Sequence, residues 1–472
     1  MEQFKINDTI AAISTPSGVG GIAVIRVSGP QALSIVNSAW KGHDLTSAPS
    51  HTIHLGKYLS IEGNLLDEAV ASVFISPASF TGEDVVEISV HGSVWIQKEI
   101  LNDLVLRGVR IADPGEFTRR AFMNGKIDLA QAEGIADLIA SSSKAAHDMA
   151  INQTKGSFSK EFNLLREKLI EFASLLELEL DFSEEDVEFA DRTALISLCD
   201  EVLNKVKSLA SSYSRGAVLK NGVQVVIAGV PNAGKSSLLN LLLGDEKAIV
   251  TDIPGTTRDT IEDTVEIDGI LYRFIDTAGI RETSDVVEGI GVERAKSSME
   301  KAFIVIWVLD PTAPMDPQIE SLNDFKAKHP SKNIIPIINK SDLKIGSCDA
   351  NCVDTLSRRA SSAHKSGHYE ILRFSTKTGE GLDKLLKELN YLTTRDTNPQ
   401  TDIIVTNARH YEALTHAASS LSRVREGLLS NLSGDFIAQD IREATAYLAT
   451  ITGNITTENL LHSIFSRFCI GK

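Results

Sequence analysis

Cysteine is scarce, with 4 residues in 472, which leaves no disulfide framework to hold a small secreted fold together. Cys348 and Cys352 share a loose CxxxC spacing with no matching second pair, so they read as two loop thiols rather than a metal site. Long hydrophobic runs are missing too. None approaches the roughly 20 residues that span a bilayer, and the longest, around Ala302–Leu309, reads as a buried strand. The N-terminal stretch MEQFKINDTI has no signal-peptide apolar region, and a cytosolic protein is expected. Basic residues are also in deficit. There are 47 Lys and Arg against 63 Asp and Glu, a formal net charge of −16, which excludes a basic nucleic-acid coat over the whole chain but not a local basic patch. Counted by segment, residues 121–216 carry 10 basic and 17 acidic side chains, and 385–472 carry 8 and 9.

At this length a single compact core is not expected, and two or three domains are. Residues 1–120 mix short β-forming runs, Ile22–Val27 and Val85–Val90, with Gly, Pro and Ser turns and a helical stretch at Trp95–Leu106. They predict an α+β domain. From Ala121 to residue 216 helical periodicity takes over: Phe162, Leu165, Leu169, Phe172, Leu176 and Leu180 recur at three- and four-residue spacing. The acidic stretch Glu177–Asp191 that follows reads as a solvated helix end and loop. Residues 217–384 alternate strand-like and helix-like segments, the pattern of an α/β domain, and 405–468, within the last segment 385–472, return to helix. The simplest architecture inserts the α/β domain into one discontinuous helical domain.

Val223–Ala228 is a β-branched strand that runs into Gly229-Val-Pro-Asn-Ala-Gly-Lys-Ser236, with a helix predicted over Ser237–Leu243. This is the GxxxxGK[ST] phosphate loop, whose backbone N–H groups and helix N-terminus converge on phosphate. Lys235 reaches the β- and γ-phosphates and the Ser236 hydroxyl can hold Mg²⁺. Downstream, Asp276-Thr-Ala-Gly279 follows the strand Tyr272–Ile275, suited to a magnesium-bound water and the γ-phosphate. The strand Ile334–Ile338 ends in Asn339-Lys340-Ser341-Asp342. A carboxylate there accepts both the N1–H and the 2-amino group of guanine, and adenine has no such donor pair. Ser375-Thr376-Lys377 stands where a fifth guanine-nucleotide motif belongs. Four ordered motifs predict a P-loop GTPase.

One expected residue is missing. Ras-like proteins place a Gln after this Asp-Thr-Ala-Gly motif to orient the attacking water; here the residue is Ile280. Another group must position water, and another charge must stabilise the transition state. Asn232 in the phosphate loop offers a side-chain carbonyl, and Thr257 a second magnesium ligand. An oxygen-rich pocket beside the phosphates can hold a monovalent cation that does the work of an arginine finger; a loop-stabilising Asn is the alternative.

The chain resembles the MnmE (TrmE) family of tRNA wobble-uridine modification GTPases along essentially its whole length. The segments that carry the resemblance are DTIAAISTPSGVGGIAVIRVSG, SFTGEDVVEISVHG, DPGEFTRRAFMNGKIDLAQAE, GVPNAGKSSLLN, VTDIPGTTRD, DTAGIRETSDVVEGIG, NKSD and the terminal Phe468-Cys469-Ile470-Gly471-Lys472. The resemblance implies a K⁺-stimulated GTPase activated when G domains dimerise. It implies that GTP is held by Asn232, Ala233, Gly234, Lys235, Ser236 and Ser237. On the following loop the contacts would be Thr251, Asp252, Ile253, Pro254, Gly255, Thr256 and Thr257. Asp276, Thr277, Ala278 and Gly279, then Asn339, Lys340 and Asp342, then Ser375, Thr376 and Lys377 would complete the set. K⁺ ligands would be Asn232, Thr251, Ile253 and Thr256, and Mg²⁺ ligands Ser236 and Thr257. Glu288 matches the glutamate that orients the attacking water, and Arg281 the switch arginine. Gly289 departs from the pattern, since a relative can carry Arg there.

The resemblance further implies that the N-terminal domain dimerises and binds 5-formyl- or methylene-tetrahydrofolate through Arg26, Glu87 and Lys126, with Lys472 nearby. Cys469 would be a nucleophile or would line the substrate site; a thiol needs a neighbouring cation or helix end to become reactive, and Arg467 and Lys472 are close in sequence. The implied partner is the FAD-dependent protein MnmG in a heterotetramer, together adding a carboxymethylaminomethyl or aminomethyl group to C5 of uridine 34 of tRNA. No membrane is involved. Two other classes stay open on the residues alone: a nucleotide-operated binding switch of the ribosome-assembly kind, and a folate-dependent transferase with a regulatory G domain. With its nearly neutral charge, the C-terminal block, including Arg467 and Lys472, is where tRNA is expected to approach.

Overall fold

The computed structural model describes residues 8–181, 192–244, 249–250, 262–275, 297–343, 371–395, 403–430, 432–466, 468 and 471. The chain divides into two units, one built from 1–136, 153–196 and 420–472, the other from 137–152 and 197–419.

The first unit contains a seven-stranded sheet. Its strands are β1 (Ile10–Ile13), β2 (Ile22–Ser28), β3 (Trp40–Gly42), β4 (Thr52–Leu59), β5 (Leu65–Phe74), β6 (Val85–His91) and β7 (Arg110–Ile111). They lie in the order β3-β4-β5-β6-β2-β1-β7, antiparallel except for β1 with β7. Sequence alternation decides which face is buried. Ala23, Ile25 and Val27 of β2 and Val86, Ile88 and Val90 of β6 pack with Val36, Ile100 and Leu104 from the helices Ala32–Ala39 and Val94–Leu106. Fully burying each Val, Ile or Leu among them contributes about 1.5–3 kcal/mol. The intervening positions put Arg26 directly opposite Glu87 on the other face.

Also in this unit, the helix Ser157–Asp181 packs along the helix Gly434–Thr452. Phe162, Leu165, Leu169, Phe172 and Leu176 are buried from the first; Ile437, Ile441, Ala444, Leu448 and Ile451 from the second. The second helix stops at Gly453, whose φ of 84° is a left-handed value that favours glycine. A Cβ there would also come within 2.8 Å of Leu129.

The second unit contains the α/β domain together with helical residues of 137–152, 197–221 and 408–419. Its strands are β8 (Val223–Gly229), β9 (Ile249–Val250), β10 (Glu262–Ile267), β11 (Ile270–Ile275), β12 (Ile304–Leu309), β13 (Asn333–Ile338) and β14 (Leu372–Arg373). Their order is β14-β13-β12-β8-β11-β10-β9, with the first five parallel, β10 antiparallel to β11, and β9 antiparallel to β10. Both faces of the central strands are covered, which explains their continuous apolar sequence. Val225, Ile227, Ile304 and Ile306 enter one core, and Val226, Ala228 and Val305 the other. Strand order reverses at β8, so the crevice outside its carboxyl end is the expected ligand position in such a sheet.

The strand and helix expectations hold where residues are described. The helical stretch expected after residue 405 is three helices, Ala408–Leu429, Gly434–Thr452 and Glu458–Phe465. The helix after the phosphate loop starts two residues earlier than the sequence reading had it, at Lys235.

Candidate nucleotide-binding site

β8 delivers the chain to the crevice, and the loop after it turns back into the helix Lys235–Leu243. The turn depends on Gly234. Its φ is +95°, and an added Cβ would sit 2.2 Å from Asn339 Nδ2, so only glycine fits both the backbone angle and the space. Asn232 also has a positive φ, 61°, tolerated better by Asn than by most side chains. Lys235 Nζ donates to the carbonyl oxygens of Gly229 and Val230 at 3.0 and 2.9 Å, which centres the ammonium over the loop. Ser236 stands half-buried in the first helical turn and Ser237 is exposed beside it; Ala233 is fully buried beneath the loop.

The end of β13 closes the other side. Asn339, 1% exposed, ties three segments together. Its Nδ2 donates to the Ala233 carbonyl at 2.8 Å, and its Oδ1 accepts from the Thr376 N–H at 3.0 Å. Asn339 therefore locks the phosphate loop to the loop after β14. Lys340 follows with φ 61° and donates from Nζ to Asp310 Oδ2 at 2.6 Å. Asp310 follows β12 and also accepts from the Thr312 N–H and hydroxyl at 2.9 and 2.6 Å. Burial alone would push the Asp310 carboxyl up; the bonds from Lys340 and Thr312 outweigh it and hold the carboxyl below the ordinary Asp range.

Asp342 is exposed. One oxygen, Oδ1, accepts from the buried Ser375 hydroxyl at 2.8 Å. That bond fixes the carboxylate plane while leaving its outer edge toward solvent, where a ligand with two adjacent N–H donors can be accepted. Lys377 is exposed two residues beyond. The structure thus brings Asn232, Ala233, Gly234, Lys235, Ser236, Ser237, Asn339, Lys340, Asp342, Ser375, Thr376 and Lys377 to one crevice. Thr251, Asp252, Ile253, Pro254, Gly255, Thr256, Thr257, Asp276, Thr277, Ala278, Gly279, Arg281 and Glu288 lie outside the described residues, as do Cys348 and Cys352. Sequence reading missed Asp310. Its signal was an Asp at the carboxyl end of a buried strand beside the phosphate-loop strand.

In the first unit, Arg26 donates from Nε to Glu87 Oε1 at 2.8 Å, and its terminal nitrogen reaches the same oxygen. The guanidinium lies 5.2 Å over the Phe80 ring and 5.5 Å over Phe117. Glu87 Oε2 makes no hydrogen bond among the described residues. Lys126 donates to the Pro77 carbonyl at 2.9 Å. A polar network that the sequence did not reveal lies in the same unit. Arg120, 2% exposed, reaches Asp8, Glu83 and Glu116, and the Ser28 hydroxyl donates to Glu83 at 2.7 Å. The chain end comes to this unit too: Gly471 accepts from the Ser14 hydroxyl at 3.1 Å, and Phe468 packs 5.3 Å from Phe465. Arg467, Cys469 and Lys472 lie outside the described residues.

Among the described residues, no group of three or more His, Cys, Asp or Glu side chains is arranged to hold a metal ion. No helix there is long and apolar enough to cross a membrane.

Two family models match the chain: the "GTP-binding protein TrmE N-terminus" over residues 9–126 and the "MnmE helical domain" over 129–469. A tRNA modification GTPase MnmE from Parabacteroides distasonis is 49% identical over 471 residues, covering 98% of this chain and all of that protein. The protein of the same name from Cytophaga hutchinsonii is 48% identical over 467 residues, 98% of each chain. That from Christiangramia forsetii is 47% identical over 479 residues, covering 99% of this chain and 100% of the other. Era of Aquifex aeolicus bound to GDP·AlF4⁻ is a similar solved structure, 33% identical over 42% of this chain and 66% of that one, with a TM-score of only 0.29. An N-terminal TrmE domain and a helical domain, with a P-loop α/β domain set within its span, cover this sequence almost end to end, and the chain belongs to the MnmE family of tRNA modification GTPases.

Proposed function

We propose that this chain hydrolyses GTP to drive modification of C5 of wobble uridine 34 in tRNA, together with an FAD-carrying partner of the MnmG kind. The observation that carries the reading is the Asp342 carboxylate, fixed by Ser375 and joined through Asn339 to the phosphate loop. It couples guanine recognition to a phosphate cradle in one crevice. The domains are assigned as 1–120 for folate binding and dimerisation, 121–216 and 385–472 for the helical domain, and 217–384 for the G domain.

In this reading Lys235 neutralises the β- and γ-phosphates, and the loop N–H groups hold them. The Ser236 hydroxyl and Thr257 would hold Mg²⁺, which supplies charge to the phosphate oxygens. Asn232, Thr251, Ile253 and Thr256 would hold K⁺ beside the phosphates. A carbonyl-bearing side chain on a strained, exposed loop position suits a hard monovalent cation. Glu288 positions the attacking water in place of the absent glutamine, and Arg281 belongs to the same switch. Hydrolysis drives association and release of two G domains in a homodimer. In the N-terminal domain, the spare Glu87 oxygen is suited to the donor edge of a pterin ring. Arg26 and Lys126, with Lys472, supply positive charge for a formyl- or methylene-tetrahydrofolate, and Cys469 lines or attacks at the carbon-transfer site.

GTP turnover in potassium against sodium salts tests the reading. Turnover several-fold faster in K⁺ is expected, and Glu288→Ala should reduce it by about 10²–10⁴, the range of a lost acid–base or positioning group. Equal turnover in both salts, or full activity of Glu288→Ala at saturating K⁺, contradicts it.

A further inference from the structure

On the helical part of the first unit, the helices Ser157–Asp181 and Gly434–Thr452 pack on one side through Leu165, Leu169, Phe172, Ile441, Ala444 and Leu448. On the other side they part to leave a groove of about 390 Å³. Small side chains, Ala173, Ala446 and Ala449, open it. Its polar lining is Arg166, Ser174, Arg442, Thr445 and Asn454, and no carboxylate lines it. Asn454 is delivered there by the sharp turn at Gly453 and held by its N–H to the Ala449 carbonyl at 3.1 Å and its Nδ2 to Thr452 Oγ1 at 3.1 Å. Ile170 and Ile455 on the rim are 44% and 52% exposed, so the groove is open rather than an enclosed pocket.

A groove with two guanidiniums and an amide, and no acid, is unusual on a chain of net charge −16. We propose that it binds backbone phosphates of the tRNA substrate. Arginine forks match phosphate oxygens bidentately, and an amide side chain such as Asn454 commonly completes such contacts, whereas the Ser174 and Thr445 hydroxyls donate to the Ile170 and Ile441 carbonyls. An open trough without an aromatic wall suits a strand passing through it better than a small ligand, which is usually buried over most of its surface. The assignment rests on the tRNA-modification reading above, but on residues that neither the nucleotide crevice nor the folate positions include.

The test is binding of a full-length tRNA transcript to the intact protein, alone and with its flavin partner, as a function of salt. The wild type is compared with Arg166→Glu, Arg442→Glu and the double variant, and with Arg166→Lys and Arg442→Lys. Each removed phosphate contact should weaken binding roughly tenfold and lower the slope of log K against log salt by about one. The lysine variants should keep most of the slope. GTP turnover and thermal stability should not move, which separates a lost contact from a damaged fold. Wild-type slope in the double variant overturns the assignment. So does saturable binding of inorganic phosphate that these substitutions abolish while tRNA binding stands, or loss of flavin-partner association alone. Absence of tRNA binding by the wild type in both arms would sink the functional reading itself.

Discussion

In the proposed reading, Asp342 is the side chain on which base selection turns. Replacing it with Asn removes a charge-assisted acceptor pair worth about 1.5–3 kcal/mol per bond and offers a donor in its place. Asp342→Asn should bind GTP at least about tenfold more weakly and gain xanthosine triphosphate, whose C2 carbonyl accepts where guanine's amino group donates. Competition binding with the two nucleotides checks this, and unchanged GTP preference would count against the assignment. Gly234→Ala should abolish nucleotide binding and lower the melting temperature, because it forces a left-handed angle on alanine and pushes Asn339 aside. The Asp310–Lys340 pair sets a pH limit. Asp310 is held below its unfolded value of about 3.9, so its contribution is complete above that value and is lost as pH falls through the folded one. Affinity for GTP should therefore be flat from neutral pH to about pH 5 and fall below about pH 4. In Lys340→Met, burial of Asp310 is no longer opposed by the ammonium, and the acid loss should begin at higher pH. Identical acid profiles for the two proteins would contradict the pairing.

At the scale of the element, periodicity carried most of the information. The spacing of Phe162, Leu165, Leu169, Phe172 and Leu176 foretold a helix and its buried face, and all five are buried. Leu169→Ala in the middle of that face should cost about 2–5 kcal/mol, read as a drop in denaturation midpoint. The nucleotide motifs were legible for a related reason. Each sits at the end of a strand, and hydrophobic runs mark strands clearly. Contacts between segments far apart in sequence were not legible. The Lys340–Asp310 bond spans 30 positions and Arg120–Asp8 spans 112, and nothing local to either residue names its partner. Arg120 illustrates the consequence. In DPGEFTRRAF it looks like one of two adjacent surface arginines, yet it is 2% exposed among three carboxylates. Arg120→Ala removes the cation on Glu83 and one of the two on Asp8 and Glu116, both of which still bond Arg110, and should destabilise the N-terminal domain by about 1–3 kcal/mol. A denaturation midpoint within error of the wild type would show that water compensates them.

For the whole molecule, the negative charge and the RNA substrate are reconciled by distribution. The largest share of the acidic excess, 7 of 16, falls in 121–216, and the C-terminal block is nearly neutral, with 8 basic and 9 acidic side chains. One arginine of the groove proposed to bind phosphate, Arg442, comes from that block, and Arg166 from the acidic one, so segment totals alone understate how local a positive site can be. Sequence resemblance conveyed the family from end to end, because its motifs are spread over the chain. It did not convey which surface meets RNA, since that depends on two helices separated by more than 250 positions lying side by side. The central claim is that GTP hydrolysis by this chain is coupled to tRNA modification. Nucleoside analysis of tRNA, after incubation with the protein, its flavin partner, a one-carbon folate and glycine or ammonium, tests it most directly. A C5-modified uridine at position 34 that appears with GTP and K⁺ and is lost without GTP is the result expected. Unmodified uridine under the complete condition, or modification of equal yield without GTP, would contradict it.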